Sequence, residues 1–174
     1  MTQLTRRNFI EAAAASAALY AGSAPSAWGR EARGKPVLLV DGGDAASSSA
    51  LLKLAQGQVG AAGIHTLFNT HWHPEQTGSN DRLGKQGTRI IAHENTRLWL
   101  TRKINVDWLP KPHPAFPKTA QPNKSFYTTD RLEFGGEQFS FGHLGQAHTD
   151  GDIYVYLARA NVLAAGGVVS SKGW

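Results

Sequence analysis

The sequence predicts an α/β (α+β) protein in which β-sheets are covered by helices. Short apolar runs typical of buried strands recur along the chain, and segments with helical spacing lie between them. Two alternating runs joined by Gly135-Gly136 form a strong hairpin signal. The chain has 174 residues, 41% of them hydrophobic. That length suits one domain with a real core and is too short for two domains of ordinary size.

The first half of the predicted domain reads strand, helix, strand. Residues 36–43, "PVLLVDGG", form an apolar run that ends in turn residues, and this pattern predicts a buried strand. Residues 47–63 begin with serines, carry leucines at helical spacing and end in glycine, which predicts a helix. Residues 64–70 predict a second buried strand. Its end delivers His71 and His73 into a loop.

Further elements follow in the same alternation. We expect a short helix within 77–87, a strand over 88–93 and a helix over 94–104. Residues 105–123 contain five prolines, which exclude regular structure. Long loops of this kind in compact domains are usually functional, so we expect this one to form the rim of a pocket.

The last elements are strands. The hairpin signal spans 131–144 and is followed by a predicted strand at 152–159. A final buried run at 161–167 predicts a strand that enters a turn.

The composition limits the kinds of site that the chain can build. It has no cysteine, which excludes disulfides and thiolate-ligated metal, so a metal would need His, Asp, Glu or water. The net charge is +5, but the basic residues are scattered and form no run. We therefore expect no nucleic-acid partner.

The N-terminus predicts an export signal over residues 1–29. The stretch Thr5-Arg6-Arg7-Asn8-Phe9-Ile10 resembles the twin-arginine signal, and an alanine-rich stretch and small residues follow it. This resemblance implies a periplasmic protein. An amphipathic or buried N-terminal helix is the alternative. The apolar stretch is too short to cross a bilayer, so we expect no stable membrane insertion after the signal is removed.

His71 and His73 pose the main question about function. Residues two apart on a strand face the same way, and in the loop after a strand they can converge on one ion. The spacing alone leaves a metal site and an ordinary polar loop equally open. His148 lies in a turn before a predicted strand and is the candidate for a third ligand. Its distance along the chain from His73 does not argue for or against this.

Five sequence blocks in a fixed order resemble the metallo-β-lactamase superfamily. They are "THWHPEQTGSN", "IIAHENT", "GGEQFSF", "HLGQAHTDGDIYVYL" and "NVLAAGGVV", and together they span most of residues 37–170. The resemblance implies a four-layer αββα sandwich for residues 30–174, with metal in a cleft at the sheet edge. It also implies that the C-terminal half of the family fold is truncated here.

The resemblance assigns roles to particular residues. His71, His73 and His148 match the three histidines of one metal position. The resemblance thus implies zinc, Zn2+, at this position, with water in the fourth place and a small-molecule substrate. Because the second metal position departs from the family pattern, one ion is expected. Zinc lowers the pKa of such water to about 7 and supplies hydroxide for attack on a carbonyl. Glu75 falls on the signature aspartate and is the candidate catalytic base.

The second metal position of the family is degenerate in this chain. Its histidine falls on Gln76, its bridging aspartate falls on Gly167, and Glu75 replaces its aspartate. The final family histidine has no counterpart before Trp174. These departures fit adaptation to a single metal, and they fit loss of activity equally well.

Two readings of function therefore stay open. The first is an exported, mononuclear zinc hydrolase of an ester, thioester, amide or lactam. The second is a non-catalytic or truncated periplasmic binding or interaction protein on the same fold. A nucleic-acid processor would rest on charge alone. Because the second half of the fold is expected to be missing, we consider a shortened reading frame, a fragment or a homodimer that covers the open surface.

The remaining polar residues predict mainly structural roles. We expect His93 to cap or pack at a helix start, and Asp150 and Asp152 to shape their turn. His143 and Asp41 could support metal ligands from behind. We assign His65 to a strand, and His113 to the proline-rich loop, where we expect it to be exposed. The tryptophans favour the core, and for Trp72, between two proposed ligands, the wall of the cleft is the alternative.

Overall fold

The computed structural model describes residues 18–21, 37–59 and 63–169. Most of the segment predicted as an export signal therefore lies outside the described residues. The strands, numbered in chain order from β1 to β9, are Ala18–Ala21, Val37–Val40, Ile64–Phe68, Arg89–His93, Lys124–Phe126, Thr129–Phe134, Glu137–His143, Ile153–Leu157 and Val162–Ala164. The helices α1 to α4 are Ser48–Val59, Pro74–Thr77, Asn80–Lys85 and Glu94–Leu100. Short 3-10 turns occupy Lys118–Ala120 and Gly166–Val168.

The strands form two sheets. The first has the order β1-β2-β3-β4-β5, in which β1 is antiparallel to β2 and the others run parallel. The second is the antiparallel meander β6-β7-β8-β9. Parallel neighbours need crossover connections, and helices lie in each of them. Helix α1 connects β2 to β3, helices α2 and α3 connect β3 to β4, and helix α4 lies between β4 and β5.

Two apolar layers hold the sheets and helices together. Between the sheets, Phe68 packs edge-on against Phe141, with 4.8 Å between ring centroids. On the other face of the first sheet, Leu39 and Leu67 pack with Leu52 of α1 and Leu83 of α3. Successive strand residues point to opposite faces, so each strand of this sheet serves both layers. The described residues thus contain a helical layer and two packed sheets, which confirms the predicted α/β class.

The predicted hairpin is confirmed. Gly135 and Gly136 both have positive φ, at 61° and 78°, between β6 and β7. Two successive residues in this region make the tight turn whose twist matches that of the flanking strands, and glycine adopts it without a steric penalty.

Three elements differ from the expectations. The helix predicted to reach residue 104 ends at Leu100, and Ile104 instead exchanges backbone hydrogen bonds with His113. Strand β5 was not predicted, because it has three residues and follows a proline-rich loop. Strand β1 falls inside the predicted export segment and pairs with β2.

The sheet edges bring two distant loops together. Strand β3 ends at Phe68, and the loop after it contains His71 and His73. Strand β8 starts at Ile153, whose backbone N–H donates to the carbonyl of Thr70 at 2.9 Å. This bond ties the start of β8, and the loop before it, to the loop after β3. No helix among the described residues is long and apolar enough to cross a membrane.

Candidate metal centre

The loop that carries the first two histidines is fixed at both ends by buried amides. Asn69 and Asn80 exchange side-chain hydrogen bonds of 3.0 and 2.8 Å, and Asn80 also donates to the carbonyl of Ala120 at 2.9 Å. All three residues are buried. A buried, satisfied network of this kind rigidifies the backbone around it. It therefore holds the segment between β3 and α3 in one conformation.

Three imidazoles converge at the sheet edge. One nitrogen from each of His71, His73 and His148 lies within 4.8 Å of the others. Nε2 of His148 is 3.1 Å from Nδ1 of His73. The three ring centroids lie 4.6, 4.7 and 5.0 Å apart. The sequence-predicted set is thus brought together, and the 75 residues between His73 and His148 are bridged by the fold.

The donor set fits a zinc ion. Nε2 of His71 is buried and has no hydrogen-bond partner. Leaving a buried polar atom unpaired costs roughly 1–3 kcal/mol, so such an atom calls for an explanation. Burial lowers the pKa of His71 to about 3, with the other two imidazoles acting in the same direction. A neutral imidazole is the form that binds metal, and three histidines with an open fourth position match catalytic zinc sites.

A hydroxyl behind His71 sets which of its nitrogens is free. The Thr70 hydroxyl donates to Oδ2 of Asp41 at 2.8 Å and lies 3.1 Å from Nδ1 of His71. Because its one proton is directed to Asp41, the hydroxyl can accept from Nδ1–H in the tautomer of His71 that leaves Nε2 free. The lone pair of His71 is then on Nε2, toward the other histidines. Supporting contacts of this kind orient metal-binding histidines in proteins.

Two buried aspartates lie behind the same histidine. Asp41 also accepts from the backbone N–H of Thr70 at 2.8 Å. Burial raises the pKa of Asp41 to about 8, and the hydrogen bonds from Thr70 oppose that rise. Oδ1 of Asp152 lies 3.9 Å from Nδ1 of His71, while its other oxygen accepts from the Thr149 backbone. Asp152 therefore shapes its turn and also faces the cluster.

Glu75 lies at the mouth of the cluster. It is in the first turn of α2, its side chain is 53% exposed, and Oε1 is 3.6 Å from Nδ1 of His73. The contact with His73 lowers the pKa of Glu75, and partial burial opposes this. The carboxylate is therefore ionised at neutral pH, which is the form that accepts a proton.

The two residues predicted to fall on the second metal position of the family lie close to the histidines. Gln76 is buried, and its side-chain oxygen has no hydrogen-bond partner. At Gly167, an added Cβ would be 2.5 Å from Cδ2 of His148 and 3.1 Å from Cε1 of His71. The histidines thus occupy the space that a side chain at position 167 would need.

The remaining histidines lie outside the cluster. His93 caps α4 by accepting from the Asn95 backbone, and its ring stacks on His143 with centroids 3.7 Å apart. His143 also lies 3.1 Å from the carbonyl of Asp150. His65 stacks on Phe134 in the core. His113 is half-buried in the proline-rich loop and stacks on Phe116, so the sequence underestimated its contacts.

A cavity of about 730 Å³ opens beside the cluster. Its lining consists of Trp72, His73, Glu75, Trp99, Trp108, His148, Thr149 and Asp150. Trp72 was expected in the core or at the cleft, and it is both buried and part of the lining, whereas Trp99 and Trp108 were not predicted to line it. Trp99 follows the helical pattern of α4, and Trp108 lies in the proline-rich loop. The one signal in the sequence was Trp108 itself, a large aromatic residue in the loop predicted to form the rim of a pocket.

Comparisons with solved structures agree with this fold. A metallo-beta-lactamase from Pontibacter korlensis is 18% identical, with a TM-score of 0.60 over 93% of this chain and 68% of its own. One from Cronobacter sakazakii is 18% identical, with a TM-score of 0.62 over 78% and 50%. BJP-1 of Bradyrhizobium japonicum, a subclass B3 metallo-beta-lactamase, is 20% identical, with a TM-score of 0.57 over 70% and 46%. The chain thus spans about half the length of several of these relatives.

The family assignment rests on the sequence as well as on the fold. A search of curated proteins found no match. The family model for the metallo-beta-lactamase superfamily matches residues 30–172, which is most of the chain. This match, the two sheets and the three converging histidines agree with one another. The chain belongs to the metallo-beta-lactamase superfamily.

Proposed function

We propose that this protein is an exported zinc-dependent hydrolase that uses a single ion held by His71, His73 and His148. The observation that supports it most is the convergence of three nitrogens around the buried, unpaired Nε2 of His71. Bound zinc would supply Lewis acidity, which makes water a nucleophile at neutral pH and polarises a carbonyl. The substrates are esters, thioesters or amides.

In this proposal, Glu75 is the base. Its carboxylate is ionised and lies at the open side of the cluster, next to His73. It takes a proton from the attacking water as the oxygen bonds to the carbonyl carbon. The bond to the leaving group then breaks, and Glu75 returns the proton to the leaving oxygen, sulfur or nitrogen. The products are a carboxylic acid and an alcohol, thiol or amine.

The single-metal count rests on the surroundings of the three histidines. A glutamine is a poor zinc ligand, and glycine has no side chain to offer. Of the three residues that depart from the family pattern, Glu75, Gln76 and Gly167, Glu75 therefore has the one side chain that binds zinc well. A stoichiometry of one zinc per chain is the form that these residues support.

The hydrolase proposal is tested by turnover of an ester series with the full chain, loaded with zinc. We expect hydrolysis that a chelator abolishes and zinc restores. Glu75→Gln should lower kcat roughly 100-fold or more, because the general base is lost. Glu133→Gln, an exposed glutamate on β6, is the matched control and should keep wild-type kcat. Equal turnover in Glu75→Gln and the control would exclude Glu75 as the base.

A second candidate is a metal-binding protein without turnover. The losses at Gln76 and Gly167 favour it, since they remove groups that related enzymes with two metals would carry. Zinc binding without hydrolysis of any ester, thioester or amide in the series would support this candidate. A homodimer stays a prediction in both cases, and analytical ultracentrifugation would measure it.

Export through the twin-arginine route is part of the proposal. It is supported by Arg6 and Arg7 and by the alanine-rich stretch after them. Removal of residues 1–29 would also remove β1 and leave β2 at the sheet edge. Replacement of both arginines by lysine should retain the protein in the cytoplasm. Equal periplasmic amounts of the variant and the wild type would contradict this route.

A further inference from the structure

Three tryptophans form one wall of the cavity beside the histidines. The Trp72 ring stacks on Trp99, with centroids 4.7 Å apart and planes 19° apart. It also stacks on Trp108, at 5.8 Å and 29°. The chain contains five tryptophans, and three of them meet here. We call Trp72, Trp99 and Trp108 the indole wall.

The inner part of the indole wall is held in place by polar contacts. The Trp99 Nε1–H donates to Oδ1 of Asp150 at 2.9 Å, and the guanidinium of Arg102 lies 4.0 Å from the Trp99 ring centroid. Trp72 is buried and packs with Leu100 and Ile104. These two rings are therefore rigid, and much of their surface belongs to the core.

Trp108 is different, because core packing does not account for it. Its side chain is 55% exposed at the mouth of the cavity. The ring meets the edge of His73, with centroids 4.7 Å apart. A large apolar ring left in solvent beside a candidate metal ligand fits a role in holding a ligand. The wall is thus next to the place where chemistry would occur.

The charges around the cavity favour an uncharged ligand at the indole wall. Glu75 and Asp150 line it, and no lysine or arginine is among the lining residues of the described part of the chain. An anionic group packed against the indole wall would lie near Asp150, which accepts from Trp99, and would be repelled.

We propose that the indole wall binds the planar aromatic group of an uncharged ester or amide substrate. That this ligand is a substrate rests on the hydrolase proposal. Binding of an aromatic ligand to the indole wall can be measured without turnover. A planar ring gains from stacking on indole, which a saturated group of similar size does not. His73 against Trp108 would bring the carbonyl of such a molecule toward the histidines.

The binding arm uses calorimetry on the full chain with three probes. 2-Naphthol should bind more tightly than the saturated decahydro-2-naphthol and than the anionic 2-naphthalenesulfonate. Trp108→Ala should raise the Kd of 2-naphthol roughly tenfold, as for loss of one aromatic contact. Tyr127→Ala, which removes an exposed aromatic outside the cavity, should leave that Kd unchanged. Equal binding of the three probes, or no effect of Trp108→Ala, would overturn the proposal.

The kinetic arm separates this inference from the hydrolase proposal. The ratio of kcat/KM for 2-naphthyl acetate over ethyl acetate should fall in Trp108→Ala and partly recover in Trp108→Phe. If 2-naphthol binds through Trp108 and no ester is hydrolysed, the indole wall is supported as an aromatic binding site and the hydrolase proposal fails. If esters turn over without an aromatic preference beyond their chemical reactivity and 2-naphthol does not bind, the hydrolase stands and the wall is overturned.

Discussion

The hydroxyl of Thr70 lies 3.1 Å from Nδ1 of His71 while it donates to Asp41 at 2.8 Å. This relationship directs the free nitrogen of His71 toward the other two histidines. The candidate metal centre therefore includes Thr70, the residue before the first ligand, near the start of the loop after β3.

Removal of that hydroxyl should weaken zinc binding. Thr70→Val keeps the shape of the side chain but cannot hydrogen-bond to His71, so we expect zinc affinity to fall roughly 10- to 100-fold. Thr70→Ser keeps the hydroxyl and should stay close to wild type. Competition with a chromogenic chelator measures both affinities. Equal loss in the two variants would show that the methyl group, and not the hydroxyl, matters.

A side chain at position 167 should disturb the same centre. The Cβ of Gly167→Ala would meet His148 at 2.5 Å, so the histidine must shift and zinc affinity should fall. Gly57→Ala is the matched control, because an added Cβ there meets nothing within 4 Å. It lies in α1 and should stabilise the fold by about 1 kcal/mol. Unchanged zinc affinity in Gly167→Ala would contradict the claim that the histidines fill the space beside Gly167.

His93 should contribute to a loss of stability in mild acid, beside the more strongly shifted His71. Burial is the largest cause that lowers its pKa from 6.5 in the folded protein. The unfolded chain therefore takes up a proton first as pH falls, and stability that is present above pH 6.5 is lost below it. His93→Asn can still cap α4, and it should flatten the fall in Tm between neutral and mildly acidic pH. A fall in Tm that is as steep in His93→Asn as in the wild type would contradict this contribution.

The interface between the sheets should be the costliest place to remove volume. Phe141 is 1% exposed and packs against Phe68 and Phe126. Phe141→Ala should lower the free energy of unfolding by about 3–5 kcal/mol, because it leaves a cavity. Leu163→Ala, at a residue that is 61% exposed, should change it by about 0.5 kcal/mol or less. Urea denaturation measures both values.

Local patterns were sufficient where the structure depends on local geometry. Gly135 and Gly136 predicted the β6–β7 hairpin, because only a few turn types join strands so tightly. The run before His71 predicted the end of β3. In contrast, α4 ended early because Ile104 pairs with His113, a contact made by the later loop.

The candidate site was predictable only in part for the same reason. His71 and His73 are neighbours in sequence, and their spacing indicated a shared direction. His148 joined them through resemblance to a family, since no local pattern links residues 75 positions apart. The indole wall combines Trp99 from a helix with Trp108 from a loop. Stacking between such rings depends on tertiary packing, which has no periodic signal in the sequence.

The central claim is that three histidines of this chain hold one zinc ion. Elemental analysis of the purified full chain, beside His71→Ala and a His65→Ala control, tests it most directly. His65 is outside the cluster and stacks on Phe134. We predict one zinc per chain in the wild type and in His65→Ala, and none in folded His71→Ala. A folded wild-type protein without zinc, or zinc retained in His71→Ala, would contradict the account.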